Sequence, residues 1–288
     1  MAVRCRGGPP LARVAGQGYI PGMTDMELLE LAARLAGQAA HAIQAVRRAG
    51  FAVERKADRS PVTEADRIAE VLIVEGLRAA APDIPAVAEE EVEAGIRAAD
   101  PASAPRYWLV DPLDGTRGFA AGRDDYAVCI GLVREGRAVL GALALPATGE
   151  VFAGLAGAGA WKRTADGARR SIRVRPVPPE GLTVLASRRH ADDPRLKGWL
   201  AGRPVARLEP QSSALKFCRV AEGAADLYPR FGPTMEWDTA AGQALVEAAG
   251  GAVEAAEDGA PLRYGKPGWR NADFVCHGGG AAVAPRGG

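Results

Sequence analysis

Two aspartates three residues apart, Asp111 and Asp114, stand in the stretch WLVDPLDGTRGF. An apolar run leads into them. Pro112 follows the first, and Gly115 and Thr116 follow the second. Proline fixes φ, which predicts a strand that ends at Asp111 and turns, so that both carboxylates converge at its mouth. Gly115 permits close backbone approach, and Thr116 offers a hydroxyl and an N–H. Free N–H groups in such a turn suit phosphate. Carboxylates with a main-chain carbonyl suit a hard cation such as Mg²⁺. A solvated turn explains the Asp-Gly pair but not the whole string.

Further acids sit at comparable positions. Glu89, Glu90 and Glu91 follow DIPAVA, whose IPAVA portion reads as a buried strand with Glu89 at its end. Asp66, in PVTEAD, falls at the third position of an expected helix, where it either favours the helix dipole or holds Thr116 or a water. Asp238, in EWDTAAGQALVEAAGG, is either the N-cap of a helix or a metal ligand. Basic residues cluster later. Ser187, Arg188, Arg189 and His190 follow an expected strand, Ser213 and Lys216 begin an expected helix, and Arg230 lies in the proline-flanked loop YPRFGPT. Each has an ordinary reading as a solvated turn, a helix start or a surface arginine. Together on one rim they would suit a bisphosphorylated ligand.

The elements that must position these groups can be read from periodicity. Thr24 and Glu27 form a capping box, and Leu28, Leu31, Leu35, Ile43 and Val46 recur at helical spacing up to Gly50, a helix of about seven turns. Thr63 and Asp66 cap a second helix that stops before Pro82. A strand-rich stretch follows, with YWLVD, YAVCIGLV, AVLGALAL, EVFAGL, GAWKR and SIRVR, and with a hairpin joined at Pro146–Gly149. Beyond Pro176, Pro178 and Pro179, strands alternate with helices at 192–201, 213–222 and 238–249, which predicts an α/β half with some parallel pairing. The expected organisation is a disordered tail over 1–23, an α+β half over 24–178, an α/β half over 179–277 and a flexible tail over 278–288.

Composition narrows the class. The 288 residues are 48% hydrophobic and 25% charged, and Lys+Arg 36 against Asp+Glu 35 leaves +1. A general nucleic-acid polymer binder usually carries a basic excess. Cys5, Cys129, Cys218 and Cys276 have no C-x-x-C spacing and read as reduced thiols of a cytoplasmic protein. No apolar run reaches the ~18 residues of a transmembrane segment. Residues 1–23 lack the apolar core of a signal peptide.

The motifs SPVTEAD, DIPAVAEE, YWLVDPLDGTRGF, SRRHAD and SALKFCRVAEGAADLYPRFGPTMEWDTAAG resemble the inositol monophosphatase superfamily of Mg²⁺-dependent, lithium-sensitive phosphatases. The longest block is similar to its CysQ-type branch, the 3′(2′),5′-bisphosphate nucleotidases. The resemblance implies an α/β (α+β) fold, the layered α-β-α-β-α sandwich of the inositol monophosphatase and fructose-1,6-bisphosphatase type. It implies two or three Mg²⁺ per site. Glu89, Asp111 and the Leu113 carbonyl would hold the first, and Asp111, Asp114 and Asp238 the second. Asp66 and Thr116, near Glu89, would orient and deprotonate the attacking water, and the N–H groups of Gly115 and Thr116 would hold the scissile phosphate. Ser187, Arg189, His190, Ser213, Lys216 and Arg230 would bind the rest of the substrate. Some relatives associate with the inner membrane surface.

The implied reaction removes the 3′-phosphate of adenosine 3′,5′-bisphosphate, with the sulfated form of that nucleotide as a further substrate, in sulfur assimilation. An inositol or fructose phosphate substrate is one alternative, and a non-catalytic nucleotide- or metal-binding relative is another. Two departures stand out. The superfamily often has Glu where Gly118 stands, and Ser where Ala88 precedes the Glu89–Glu90 pair.

Overall fold

The computed structural model describes residues 22–56, 61–96, 104–189 and 191–279. Helix α1 (Asp25–Ala49) opens with the expected capping box, in which the Thr24 hydroxyl oxygen accepts from the Glu27 N–H and the Glu27 carboxylate accepts from the Thr24 N–H. A small hairpin of β1 (Val53–Arg55) and β2 (Pro61–Thr63) leads into α2 (Glu64–Ala80). Then come β3 (Ala86–Ala88), α3 (Glu89–Glu93), β4 (Arg106–Asp114) and α4 (Thr116–Ala120). β5 (Ala127–Arg134), β6 (Arg137–Leu145), β7 (Glu150–Leu155), β8 (Gly159–Arg163) and β9 (Arg169–Ile172) complete a seven-stranded sheet in chain order from β3 to β9. Only the β3–β4 pair is parallel in that sheet.

The second sheet is built from β10 (Leu182–Ser187), β11 (Val205–Gln211), β12 (Leu227–Arg230), β13 (Ala252–Ala255) and β14 (Phe274–His277), in the order β11-β10-β12-β14-β13. β10 runs parallel to β11 and β12, as the strand–helix alternation predicts, and β14 runs antiparallel to β12 and β13. Helices α5 (Pro194–Leu200), α6 (Leu215–Ala221) and α7 (Ala240–Ala248) join these strands.

Alternation along β4 assigns the layers. Trp108 and Val110 point into a core with α1 and α2, whereas Tyr107 and Leu109 point into a second core with α6 and α7. Tyr228, Phe274 and Cys276 of the second sheet close that middle core from the far side. Leu182, Val184, Leu227 and Val275 face outward onto Trp199 and Leu200 of the α5 segment. The order is therefore helix, sheet, helix, sheet, helix. The middle layer is held unusually close. A Cβ on Gly141 of β6 would lie 2.2 Å from the Ala241 carbonyl oxygen, and one on Gly131 of β5 would lie 2.7 Å from the Ala241 nitrogen. Only glycine lets α7 sit against the sheet there, and α7 starts directly after Asp238.

Several expected boundaries move. β4 does not end at Asp111 but runs to Asp114, with a register shift between the two aspartates. Pro112 sits inside that bulge, where a ladder N–H is not required. The strand expected at SIRVR is β9, ending at Ile172. Residues 1–21 and 280–288, including Cys5 and most of both expected tails, lie outside the described residues. Met23, placed in the expected disordered tail, packs against the first core, and the Gly278 N–H donates to the Asp226 carbonyl oxygen. Cys129, Cys218 and Cys276 are buried, free thiols. Among the described residues no helix is long and apolar enough to cross a membrane.

Candidate active site

The ends of strands from both sheets meet at one cleft of about 320 Å³. From the first sheet come Glu89 after β3, and Asp111, Leu113 and Asp114 at the end of β4, with Gly115 and Thr116 opening α4. From the second come Ser187 at the end of β10 with Arg188 and Arg189 beyond it, Ser213 and Lys216 at the start of α6, Arg230 at the end of β12, and Asp238. His190 lies outside the described residues. Of the described residues to which the resemblance gives a role, all line this cleft except Asp66, which is buried directly behind Thr116; Glu90 and Glu91 lie outside it.

Each acid is held by a local backbone device. The Asp111 carboxylate accepts from the Leu113 N–H at 2.9 Å, inside the bulge. Asp114 accepts from the Ala214 N–H, across from the second half. Asp238 accepts from the Met235 N–H at 2.8 Å. It ends a 3₁₀ turn (Glu236–Asp238), and α7 begins two residues later with Thr239 at its N-cap, so Asp238 is not that helix's cap. Gly115 has φ +98°, where a side chain is strained, and a Cβ there would be tight against the Asp125 carbonyl oxygen and the Ser213 Cβ, each at 3.1 Å.

Asp66 performs both of the roles left open by its position. Its Oδ2 accepts from the Thr63 N–H at 2.8 Å and the Thr63 hydroxyl at 2.7 Å, which caps α2. Its Oδ1 lies 2.9 Å from the Thr116 hydroxyl oxygen. That hydroxyl is also 2.9 Å from the Leu113 carbonyl oxygen. One hydroxyl proton serves one acceptor at a time, so a ligand on the Leu113 carbonyl commits Thr116 to Asp66.

The electrostatics are those of a dense, buried acid cluster. Burial, then Glu89, Asp114 and Asp238, hold the Asp111 carboxyl well above its ordinary value. Burial and Asp114 push Asp238 up to about 7. Burial raises Asp114 against the opposing Lys216 charge. Burial raises Glu89 to about 8, although the Lys56 ammonium pulls the other way. Carboxylates at this density, together with the Leu113 carbonyl, form an all-oxygen donor set, and divalent hard cations are the partners that satisfy it. The residues present therefore fit Mg²⁺.

The opposite wall is basic. Lys216 is almost fully buried, donates to the Ser213 carbonyl oxygen, and lies 4.6 Å from the centre of the Tyr228 ring. Burial lowers its ammonium to about 7, with Asp114 opposing. Arg230 donates from Nη2 to the Pro233 carbonyl at 3.0 Å, and its Nε is buried with no hydrogen-bond partner among the described residues. A buried unpaired guanidinium nitrogen is costly unless a ligand completes it.

Sequence reasoning missed the supports. Lys56, between β1 and β2, pairs with Glu89 at 3.1 Å and Glu90 at 2.7 Å, and also with Glu93. Glu70 on α2 accepts from the Glu90 and Glu91 N–H groups, each at 2.8 Å. Ala88 at the N-cap of α3 makes no side-chain cap, so Glu70 supplies from outside what a serine there would supply locally. Asn271 donates to the Met235 carbonyl at 2.7 Å and the Thr239 hydroxyl at 2.9 Å, bracketing Asp238. Only Glu70, in RIAEVLIVEG, is a polar residue within an apolar stretch; Lys56, in VERKADRS, and Asn271, in GWRNADF, carry no such signal.

A model of the inositol monophosphatase family matches residues 25–281. The chain is 43% identical over 229 residues to the 3′(2′),5′-bisphosphate nucleotidase CysQ of Salmonella typhimurium, covering 78% of this chain and 89% of that one. The Shigella flexneri protein of the same name is 44% identical over 217 residues, 74% and 82% of the two chains. Among solved structures, CysQ from Bacteroides thetaiotaomicron superposes with TM-score 0.74 at 32% identity, over 87% of this chain and 97% of that one. An inositol monophosphatase from Anabaena superposes with TM-score 0.69 at 26% identity, over 90% and 94%. That family is generally metal-dependent. With its fold and nearly its whole described length matched, this chain belongs to the inositol monophosphatase family.

Proposed function

We propose that this chain is a Mg²⁺-dependent phosphomonoesterase that removes the 3′-phosphate of adenosine 3′,5′-bisphosphate to give AMP and phosphate, and that it accepts the sulfated form of the nucleotide at the same site. The observation that carries the reading is the division of one cleft into an acid wall and a basic wall, with Arg230 Nε buried and without a hydrogen-bond partner among the described residues on the basic side. A polyol monophosphate offers one anion, for the acid wall and its cations. A bisphosphate offers a second for the basic wall. The nucleotidases named above support the same substrate class, and the free buried thiols suit the cytoplasm.

Glu89, Asp111, the Leu113 carbonyl, Asp114 and Asp238 would hold two or more Mg²⁺. When bound, these cations offset the phosphate dianion's charge and acidify a water. The chain's own part is positioning and proton transfer. Thr116 donates to Asp66 Oδ1, which leaves its oxygen lone pairs able to accept a proton from water. Asp66 is raised by burial against the pull of its Thr63 hydrogen bonds, so it can take that proton through Thr116. Gly115 leaves the backbone bare beside the reacting phosphate. Ser187, Arg189, His190, Ser213, Lys216 and Arg230 would bind the remainder of the nucleotide, with Lys216 acting partly through the Ser213 carbonyl that it anchors.

The test is phosphate release from adenosine 3′,5′-bisphosphate, inositol 1-phosphate and fructose 1,6-bisphosphate, each with Mg²⁺, with EDTA, and with Mg²⁺ plus Li⁺. A Mg²⁺-dependent preference for the nucleotide supports the reading. Preference for a sugar or inositol phosphate overturns the substrate while keeping the metal site. No release from any of them overturns the enzyme.

A further inference from the structure

We propose that Asp125 positions Arg123 and Arg188 as a two-arginine clamp for the second, non-reacting phosphate of the substrate, at the seam between the two halves. The inference deepens the phosphatase reading above and rests on it.

Arg123 and Asp125 lie in the connection from α4 to β5, in the first half, and Arg188 directly follows β10, in the second. Asp125 Oδ2 accepts from Arg188 Nε at 2.8 Å and from the Ser212 N–H at 2.9 Å. Asp125 Oδ1 lies 3.4 Å from Arg123 Nε, and it is buried with no hydrogen-bond partner among the described residues. One carboxylate therefore faces two guanidinium groups, each approached through Nε. Both arginines line the cleft, at side-chain exposures of 44% and 45%, and neither has a second protein acceptor among the described residues. The set carries an excess of one positive charge, and its terminal guanidinium nitrogens are the geometry that phosphate oxygens match best. The same carboxylate ties this clamp to the chemistry. Ser212 opens the turn whose Ala214 N–H holds Asp114.

Gly118 gains a reason in this arrangement. A Cβ there would sit 3.3 Å from Asp125 Oδ1 and 3.6 Å from both Nε and Nη2 of Arg123. A glutamate at 118 would bring a second carboxylate against Asp125 and into the space of Arg123. Its absence leaves the arginine its place at the cleft.

The experiment compares steady-state kinetics on adenosine 3′,5′-bisphosphate with kinetics on 3′-AMP, which carries the reacting phosphate but lacks the second one. The variants are Arg123→Ala, Arg188→Ala, Asp125→Asn and Gly118→Glu. Each arginine variant is expected to raise KM for the bisphosphate about tenfold, the scale of one charge-assisted contact at a half-exposed site, with kcat held within about twofold. KM for 3′-AMP should change by less than about twofold. Gly118→Glu should give the same substrate-selective split without removing an arginine, so the test survives if one variant fails to fold; Asp125→Asn should raise KM for the bisphosphate more than for 3′-AMP while also lowering kcat on both, because its Ser212 bond supports the turn that holds Asp114. Equal losses on both substrates, or a fall in kcat with KM unchanged, would overturn the clamp while leaving the phosphatase reading in place. A wild-type enzyme that releases phosphate from neither nucleotide would overturn that reading and the clamp with it.

Discussion

The acid wall and the basic wall of the cleft are built in opposite ways. On the acid wall, Asp111, Asp114 and Asp238 each accept from a backbone N–H, on a bulge, across a turn and in a 3₁₀ turn respectively. Those backbones are fixed by the seven-stranded sheet and by α7 packed onto its glycines. On the basic wall, Arg188 and Arg189 stand on a turn and Arg230 at a strand end; the Arg188 guanidinium is held by the Asp125 carboxylate and that of Arg230 by the Pro233 carbonyl. The difference separates two tasks. On the proposed reading, the acids that would meet the reacting phosphate are fixed by short backbone hydrogen bonds, and the arginines that would choose the substrate reach the cleft on long side chains.

The strongest way to break that contrast is to remove one acid without changing its shape. Asp114→Asn should lower kcat by on the order of 10³-fold or more, since the ligand set loses a charge. A loss below tenfold would mean the acid wall is not the chemical pole. Thr116→Val comes next, at about 10²-fold in kcat with KM little changed, because it removes the hydroxyl linking water to Asp66. A change confined to KM would move Thr116 to the binding side. Glu70→Gln sharpens the contrast from behind the wall. It keeps the shape but loses one of two acceptors for the Glu90 and Glu91 N–H groups, and the Mg²⁺ concentration for half-activation should rise by about tenfold. On the opposite wall, Arg230→Ala should raise KM for the nucleotide about tenfold with kcat nearly preserved. Equal losses in kcat and kcat/KM would put Arg230 in the transition state instead.

The smallest effect is in pH. Burial and neighbouring acids hold Asp238 near 7 and Glu89 near 8 in the metal-free fold, well above the ~4 of an unfolded carboxyl. The native state therefore binds more protons than the unfolded one between those values, and the metal-free protein loses stability as pH rises through that window. Mg²⁺ needs the ionised acids, so the gain in Tm on adding it should grow from pH 5.5 to pH 8. Scanning calorimetry with Mg²⁺ and with EDTA at both pH values checks this. A gain that shrinks with pH would mean the acids do not bind the cation together.

How far the sequence reaches follows the same division. The capping boxes at Thr24 and Thr63, the strand alternation and the string from Asp111 to Thr116 are local patterns, and the fold keeps them. Asp66 was readable as a cap because a cap spans three residues. Its bond to Thr116 spans fifty, and the stretch itself left that pairing open until the family resemblance favoured it. Lys56 on Glu89 and Asp125 on Ser212 span 33 and 87 residues, with no periodicity to mark them. Pro112 misled in the other direction. Proline argues against a continuing strand, yet here the bulge absorbs it and carries β4 on to Asp114. Ala88 stood out only as a departure from the superfamily's serine, and Glu70, which holds the Glu90 N–H, lies on a different helix.

The central claim is that the acid wall reacts with one phosphate while the basic wall holds the other. The direct measurement is the product of adenosine 3′,5′-bisphosphate turnover with Mg²⁺, followed by phosphorus NMR. The account predicts 5′-AMP and inorganic phosphate as the only products, with no turnover in EDTA. Formation of 3′-AMP, a mixture of the two monophosphates, or equal turnover without metal would contradict it.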